Sequence, residues 1–164
     1  MRRKWLLLGI GALMAVLAIA AVACGDGDDG DDDDDSDGGN GDAVGSSVVN
    51  VDLFEYQIVP DLDAVAAGSV TFNASNVGGA THELVIIRTD VAPDALPVIE
   101  NHVADESAEE IAVIGRIEEF AAQSDASITI DLEAGSYVLI CNIVEDTGTS
   151  HYEEGMHRAF TISE

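Results

Sequence analysis

Three stretches of this chain alternate apolar and polar residues with a period of two. Val49, Val51 and Leu53 are separated by Asn50 and Asp52; Val70, Phe72 and Ala74 by Thr71 and Asn73; Ile128, Ile130 and Leu132 by Thr129 and Asp131. Side chains point to opposite faces along a strand, so each stretch reads as a half-buried β-strand with one face on a core. Residues 84–87 and 137–140 are apolar at every position, the pattern of central strands covered on both faces, and Phe160 and Ile162 suggest a last strand. Gly68, Gly78-Gly79 and Ala134-Gly135 mark turns between them. Several short strands with glycine turns predict an all-β fold, a sandwich or a barrel. Residues 97–124 depart from the pattern and read as a long connection, in which residues 107–111 are expected to form a short helix with Ser107 as its cap and Glu110 three residues on.

The strands are confined to residues 48–164. Before them, Arg2, Arg3 and Lys4 precede an apolar run over residues 5–23 that ends Ala21-Val22-Ala23-Cys24. That is the form of an export signal, and it resembles a bacterial lipoprotein signal in which Cys24 becomes the lipidated N-terminus, although Ala21 stands where such signals usually carry Leu. The alternative is an uncleaved membrane anchor, for which residues 5–23 are barely long enough. Either way the basic end stays in the cytoplasm and the remainder is expected on the outer face of the membrane. Residues 24–47 are then the anchor cysteine and a linker of Asp, Gly and Ser, with five consecutive aspartates at 31–35. Such a segment lacks apolar surface to bury and repels itself, so it reads as an extended acidic spacer.

Charge excludes one class of partner. The chain carries a formal net charge of −26, and after the N-terminal segment only Arg88, Arg116 and Arg158 are basic. Nucleic acid binding needs clustered Lys and Arg, so no nucleic acid is expected. With Cys24 assigned to the anchor, Cys141 stands alone in the exported domain, without a disulfide partner in the chain. A lone exported thiol is reactive, ligating, intermolecular or a buried inert residue.

The strand pattern brings further groups to Cys141. Tyr137, Leu139 and Cys141 share a face, as do His82, Leu84 and Ile86, so Cys141 at the end of one strand and His82 at the start of another are placed to meet at one pole of a sandwich. A polar loop runs from Cys141 to His151, and Met156 follows beyond Gly155. Thiolate, two imidazoles and a thioether are the ligand set of type 1 copper, and a poor set for zinc. Glu145 or Glu153 could replace Met156 as the weak axial donor. His157 faces away from Met156 on a strand, and His102 lies in the long connection; neither is expected to be a ligand. Asn76 and Asn142 are candidates for hydrogen bonding around the thiolate.

In these segments the sequence resembles the cupredoxins, the blue copper proteins related to plastocyanin, auracyanin and sulfocyanin. The residues carrying the resemblance are Asn76-Val77-Gly78 with His82-Glu83-Leu84, then residues 137–142, then residues 151–156. The resemblance implies a Greek-key β-sandwich over residues 48–164, one copper ion, His82, Cys141 and His151 as equatorial ligands and Met156 as the axial one. One departure stands out: nine residues separate Cys141 from His151, longer than the family's usual spacing. A longer surface loop costs little closure entropy, so ligand identity should survive it.

A site filled by four protein ligands leaves no position for substrate, which argues against an enzyme. The resemblance implies a monomeric single-electron carrier, held by its N-terminus near redox proteins of a membrane electron-transfer chain. The alternative is a copper-binding protein that stores, delivers or senses the metal without redox cycling.

Overall fold

The structure, a computed structural model, describes residues 45–164. The N-terminal apolar segment, Cys24 and most of the acidic linker lie outside the described residues. The described chain forms nine strands: β1 (Gly45–Phe54), β2 (Gln57–Pro60), β3 (Ala64–Ala66), β4 (Gly68–Asn76), β5 (His82–Arg88), β6 (Ala112–Phe120), β7 (Asp125–Leu132), β8 (Gly135–Ile140) and β9 (His157–Ser163). Among the described residues no helix is long and apolar enough to cross a membrane.

The strands form two sheets. One runs β2-β1-β4-β7, and the other β3-β9-β8-β5-β6. β1 pairs parallel with β4 and β3 parallel with β9, while the remaining pairs are antiparallel. The chain passes repeatedly between the sheets, from β4 to β5, from β6 to β7 and from β7 to β8. The result is the all-β sandwich that the alternation predicts.

Register explains why the alternating residues hold the core. Val49 lies opposite Phe72, and Phe72 opposite Ile128, so one residue from each predicted strand forms a row across the first sheet. From the second sheet Phe160 meets Phe72 edge-on, with ring centroids 5.5 Å apart and planes at 65°. Leu84, Ile86, Tyr137, Leu139 and Cys141 face this same core. Their neighbours Val85, Ile87, Val138 and Ile140 face the other way, into a second apolar layer with Leu96, Ala104, Ile111 and Tyr152. Both faces of β5 and β8 are therefore buried, as their continuous apolar runs require.

Three readings of the sequence change. Residues 97–124 are not one long connection: Ala112–Phe120 is the edge strand β6, paired with β5. Its alternation is weak because Ile117 is its one fully buried residue, and most of the strand is exposed. Gly115 keeps it close to the opposite sheet, since a Cβ there would come within 2.5 Å of Ile130 Cδ1. The expected helix at residues 107–111 is a pair of turns instead, and the Ser107 hydroxyl bonds the Asp105 carboxylate rather than capping a helix. Between β5 and β6 the helical content is two short 3₁₀ segments, Pro93–Ala95 and Glu100–His102, of which only the second lies within residues 97–124. Finally, β1 begins at Gly45, so residues 45–47 belong to a strand rather than to the linker.

Candidate metal centre

Antiparallel pairing of β5 with β8 sets the start of one strand beside the end of the other. His82 is the first residue of β5 and Cys141 directly follows β8, so both reach the same pole of the sandwich. The Glu83 amide donates to Cys141 Sγ at 3.5 Å, tying the two strand ends together.

His151 arrives by a loop that folds back on itself. Val144 and Ser150 form an isolated antiparallel bridge, the Glu145 amide donates to Thr149 O at 2.9 Å, and the His151 amide donates to Ile143 O at 2.8 Å. The nine intervening residues thus leave and re-enter at nearly the same place, which returns His151 to Cys141 despite the long spacing. Met156 is tied to the same pole: its amide donates to His151 O at 2.9 Å and its carbonyl accepts from the Cys141 amide at 3.0 Å. Its side chain is fully buried in the apolar cluster that contains Cys141.

The side chains of His82, Cys141 and His151 converge. Their ligand atoms all lie within 4.8 Å of one another, and all three residues are buried. His82 Nδ1 is 3.2 Å from His151 Nδ1, and Cys141 Sγ is 3.3 Å from His151 Nδ1 and 3.9 Å from His82 Nδ1. Burial pushes the Cys141 thiol up to about 11, against the opposing pull of the Glu83 and Ile143 amides. Burial also depresses His82 below the usual imidazole range, with His151 acting in the same direction and Glu55 opposing both. Two imidazoles and a thiol buried at one pole are a set of soft and borderline donors directed at one point. This donor set fits a single copper ion.

The other sequence candidates fall elsewhere. Asn76 is buried, but its side chain bonds Ala80 O, Phe120 O and the Gly78 amide, shaping the turn that leads into His82. The Asn142 side chain bonds both backbone groups of Ala104 and the Glu106 carboxylate, fastening the metal pole to the connection. The bond to Sγ comes instead from the Glu83 amide. Glu153 is 3.2 Å from Nδ1 of the exposed His102. His157 packs against Tyr152, with ring centroids 5.3 Å apart. Glu145 faces Nε2 of His151 at 3.4 Å, on the far side of the ring from Nδ1.

Three residues that the sequence reading gave no role also stand at this pole. Glu83 is buried beside His82, where it accepts from the Asn142 amide at 3.0 Å and pairs with Arg116 at 3.3 Å. Burial raises its carboxyl above the usual range, while the Asn142 amide and Arg116 pull it back. Glu55 and Tyr56 come from the β1–β2 turn, far from every ligand in the chain. Glu55 Oε1 is 3.4 Å from His82 Nε2, and the Tyr56 ring lies edge-on to His151 with centroids 5.2 Å apart.

Among the solved structures to which the chain is similar are two auracyanins and a rusticyanin. Reduced auracyanin from Roseiflexus castenholzii is 18% identical over 73% of this chain and 97% of its own, with a TM-score of 0.48. Auracyanin A from Chloroflexus aurantiacus, described as a "blue" copper protein, is 18% identical over 73% of this chain and 100% of its own, with a TM-score of 0.47. Rusticyanin from Thiobacillus ferrooxidans is 17% identical over 73% and 79%, with a TM-score of 0.45. No protein-family model matches the chain, and no curated protein is detectably similar to it in sequence. The likeness to the auracyanins and rusticyanin is distant, and the copper assignment stands on the converging side chains themselves.

Proposed function

We propose that this protein is a blue copper protein of the cupredoxin kind, tethered to the outer face of a membrane, that carries single electrons between redox proteins. The observation that carries this reading is the convergence of His82, Cys141 and His151, with their ligand atoms within 4.8 Å of one another at a buried pole. Met156, buried and tied by backbone hydrogen bonds to both His151 and Cys141, is the proposed axial donor. Copper held there supplies a one-electron couple. The chain's contribution is rigidity. Cys141 and His82 sit at the ends of paired strands, and His151 is held by a bridged loop, so the donors keep their places in both oxidation states. Burial keeps water from the site, and four protein donors leave no position for a substrate, in line with a carrier rather than an enzyme.

The N-terminal signal and acidic spacer support the tether. An anchored carrier stays at high effective concentration near membrane partners. The intact mass of the mature protein should show a chain that begins at a lipid-modified Cys24 if the signal is cleaved there, and one that retains residues 1–23 if they are an uncleaved anchor.

The deciding experiment is titration of the purified protein with Cu(II), followed by optical and EPR spectroscopy and voltammetry. The expected result is an intense visible copper–thiolate band at one equivalent and a reversible one-electron wave. A stable copper complex without reversible redox would favour storage or delivery. A colourless mixture would overturn the copper reading.

A further inference from the structure

The two ligand imidazoles share an unusual environment on their outer side. His82 Nε2 and His151 Nε2 are both buried and without a hydrogen-bond partner. Each nevertheless has a carboxylate oxygen at 3.4 Å: Glu55 Oε1 beside His82, and Glu145 Oε1 beside His151. At that separation each carboxylate lies close to the ring nitrogen but outside good hydrogen-bond geometry. If the Nδ1 atoms bind the metal, each Nε2 must carry the ring proton, and a buried N–H without an acceptor is unfavourable. The carboxylates are the acceptors at hand.

Neither carboxylate is there by chance of a flexible chain. Glu55 Oε1 accepts from the Gly79 amide at 2.7 Å and also from the Ala80 amide. It lies in a cradle that only glycine leaves open, since a Cβ on Gly78 would stand 2.5 Å from Glu55 Oε1. Glu145 is held from the same turn, because the Tyr56 hydroxyl donates to Glu145 Oε1 at 2.7 Å. Two adjacent residues of the β1–β2 turn therefore govern both imidazoles, Glu55 directly and Tyr56 through Glu145.

We propose that Glu55 and Glu145 are positioning residues that accept the Nε2–H of His82 and His151, and that their negative charge stabilises the oxidised over the reduced metal. The inference rests on the copper reading above. A thiolate and two neutral imidazoles leave a cuprous site neutral and a cupric site with a net positive charge, so nearby carboxylates favour the cupric form. Acceptors behind ligand histidines also fix ring orientation and raise ligand basicity. The Cys141–His151 loop is then more than a tolerated insertion, since it delivers one of the two carboxylates.

The test uses the full-length protein with Glu55→Gln and Glu145→Gln, which keep shape and a carbonyl acceptor but remove the charge. Both variants, loaded with Cu(II), should retain the copper–thiolate band while the reduction potential rises. A tenfold shift of the Cu(II)/Cu(I) equilibrium corresponds to about 59 mV for one electron. Cu(II) affinity should fall about 10- to 100-fold, and Cu(I) affinity by less. Tyr56→Phe should move the potential in the same direction as Glu145→Gln, and Gly78→Ala, which displaces Glu55 without altering it, in the same direction as Glu55→Gln. A lower denaturation midpoint with unchanged potential and unchanged Cu(II) affinity would show a merely structural role and overturn the inference. Absence of the band in the parent protein would instead sink the copper reading.

Discussion

His82 and His151, 69 residues apart in the chain, bring their Nδ1 atoms to 3.2 Å from each other in the interior of the protein. Two nitrogen lone pairs facing each other in a dry pole repel unless a proton or a metal lies between them. With Cys141 Sγ 3.3 Å from one of them, the arrangement suits a soft cation far better than a single shared proton.

Removing the thiolate should remove the colour and leave the fold. Cys141→Ser is expected to abolish the visible charge-transfer band on adding Cu(II), while circular dichroism remains that of a β-sandwich. Any bound Cu(II) should then show the wide hyperfine splitting of an ordinary cupric site by EPR.

Met156→Leu should bind copper and shift its potential. The swap conserves volume, so the metal-free protein should lose less than about 1.5 kcal/mol, checked by urea denaturation. The thioether is a weak donor to the oxidised ion, and its loss should raise the potential and alter the EPR spectrum. An unchanged potential and spectrum would mean that Met156 fills the core and does nothing else.

Copper uptake should release a proton. Burial holds the Cys141 thiol up at about 11, so it is protonated at neutral pH in the metal-free chain. Burial also keeps His82 below its usual range, so that imidazole is already neutral. The bound form carries fewer protons, so affinity rises with pH, by about tenfold per pH unit while the thiol is the group displaced. Competition against a chelator of known pH dependence at neutral and mildly alkaline pH measures the slope. A flat profile would contradict deprotonation of Cys141 on binding.

Arg116→Met should destabilise the protein through Glu83. The Glu83 side chain is 8% exposed and that of Arg116 is 29% exposed, and Arg116 also pairs with Glu106. Losing a hydrogen bond to a mostly buried carboxylate is expected to cost about 1.5–3 kcal/mol in denaturant unfolding. Most of that loss should be recovered in the double variant with Glu83→Gln, which removes the orphaned charge.

The chain's alternation was enough to name most of the core. Val49, Val51, Leu53, Val70, Phe72 and Ala74 are all buried, because a period of two can satisfy only one arrangement of a half-covered sheet. The continuous apolar runs gave β5 and β8 their central places for the same reason. The short strands β2 and β3 and the edge strand β6 escaped, since strands that bury one or two residues carry little periodicity.

The convergence of His82, Cys141 and His151 was legible because metal chemistry restricts residue type: a lone Cys, a His at a strand start and a His in the following loop leave few readings. Glu55, Tyr56 and the role of Glu145 were not. Carboxylates and tyrosines are common on surfaces, and nothing in a turn between β1 and β2 marks it as the neighbour of His82. Only the packing of one sheet against the other carries that turn to the metal pole, because contacts between sheets depend on where both sheets end in space and not on any local pattern. The sequence alone determined which residues are chemically able to hold a metal and which face of each strand they occupy. The tertiary structure decided which groups stand behind them.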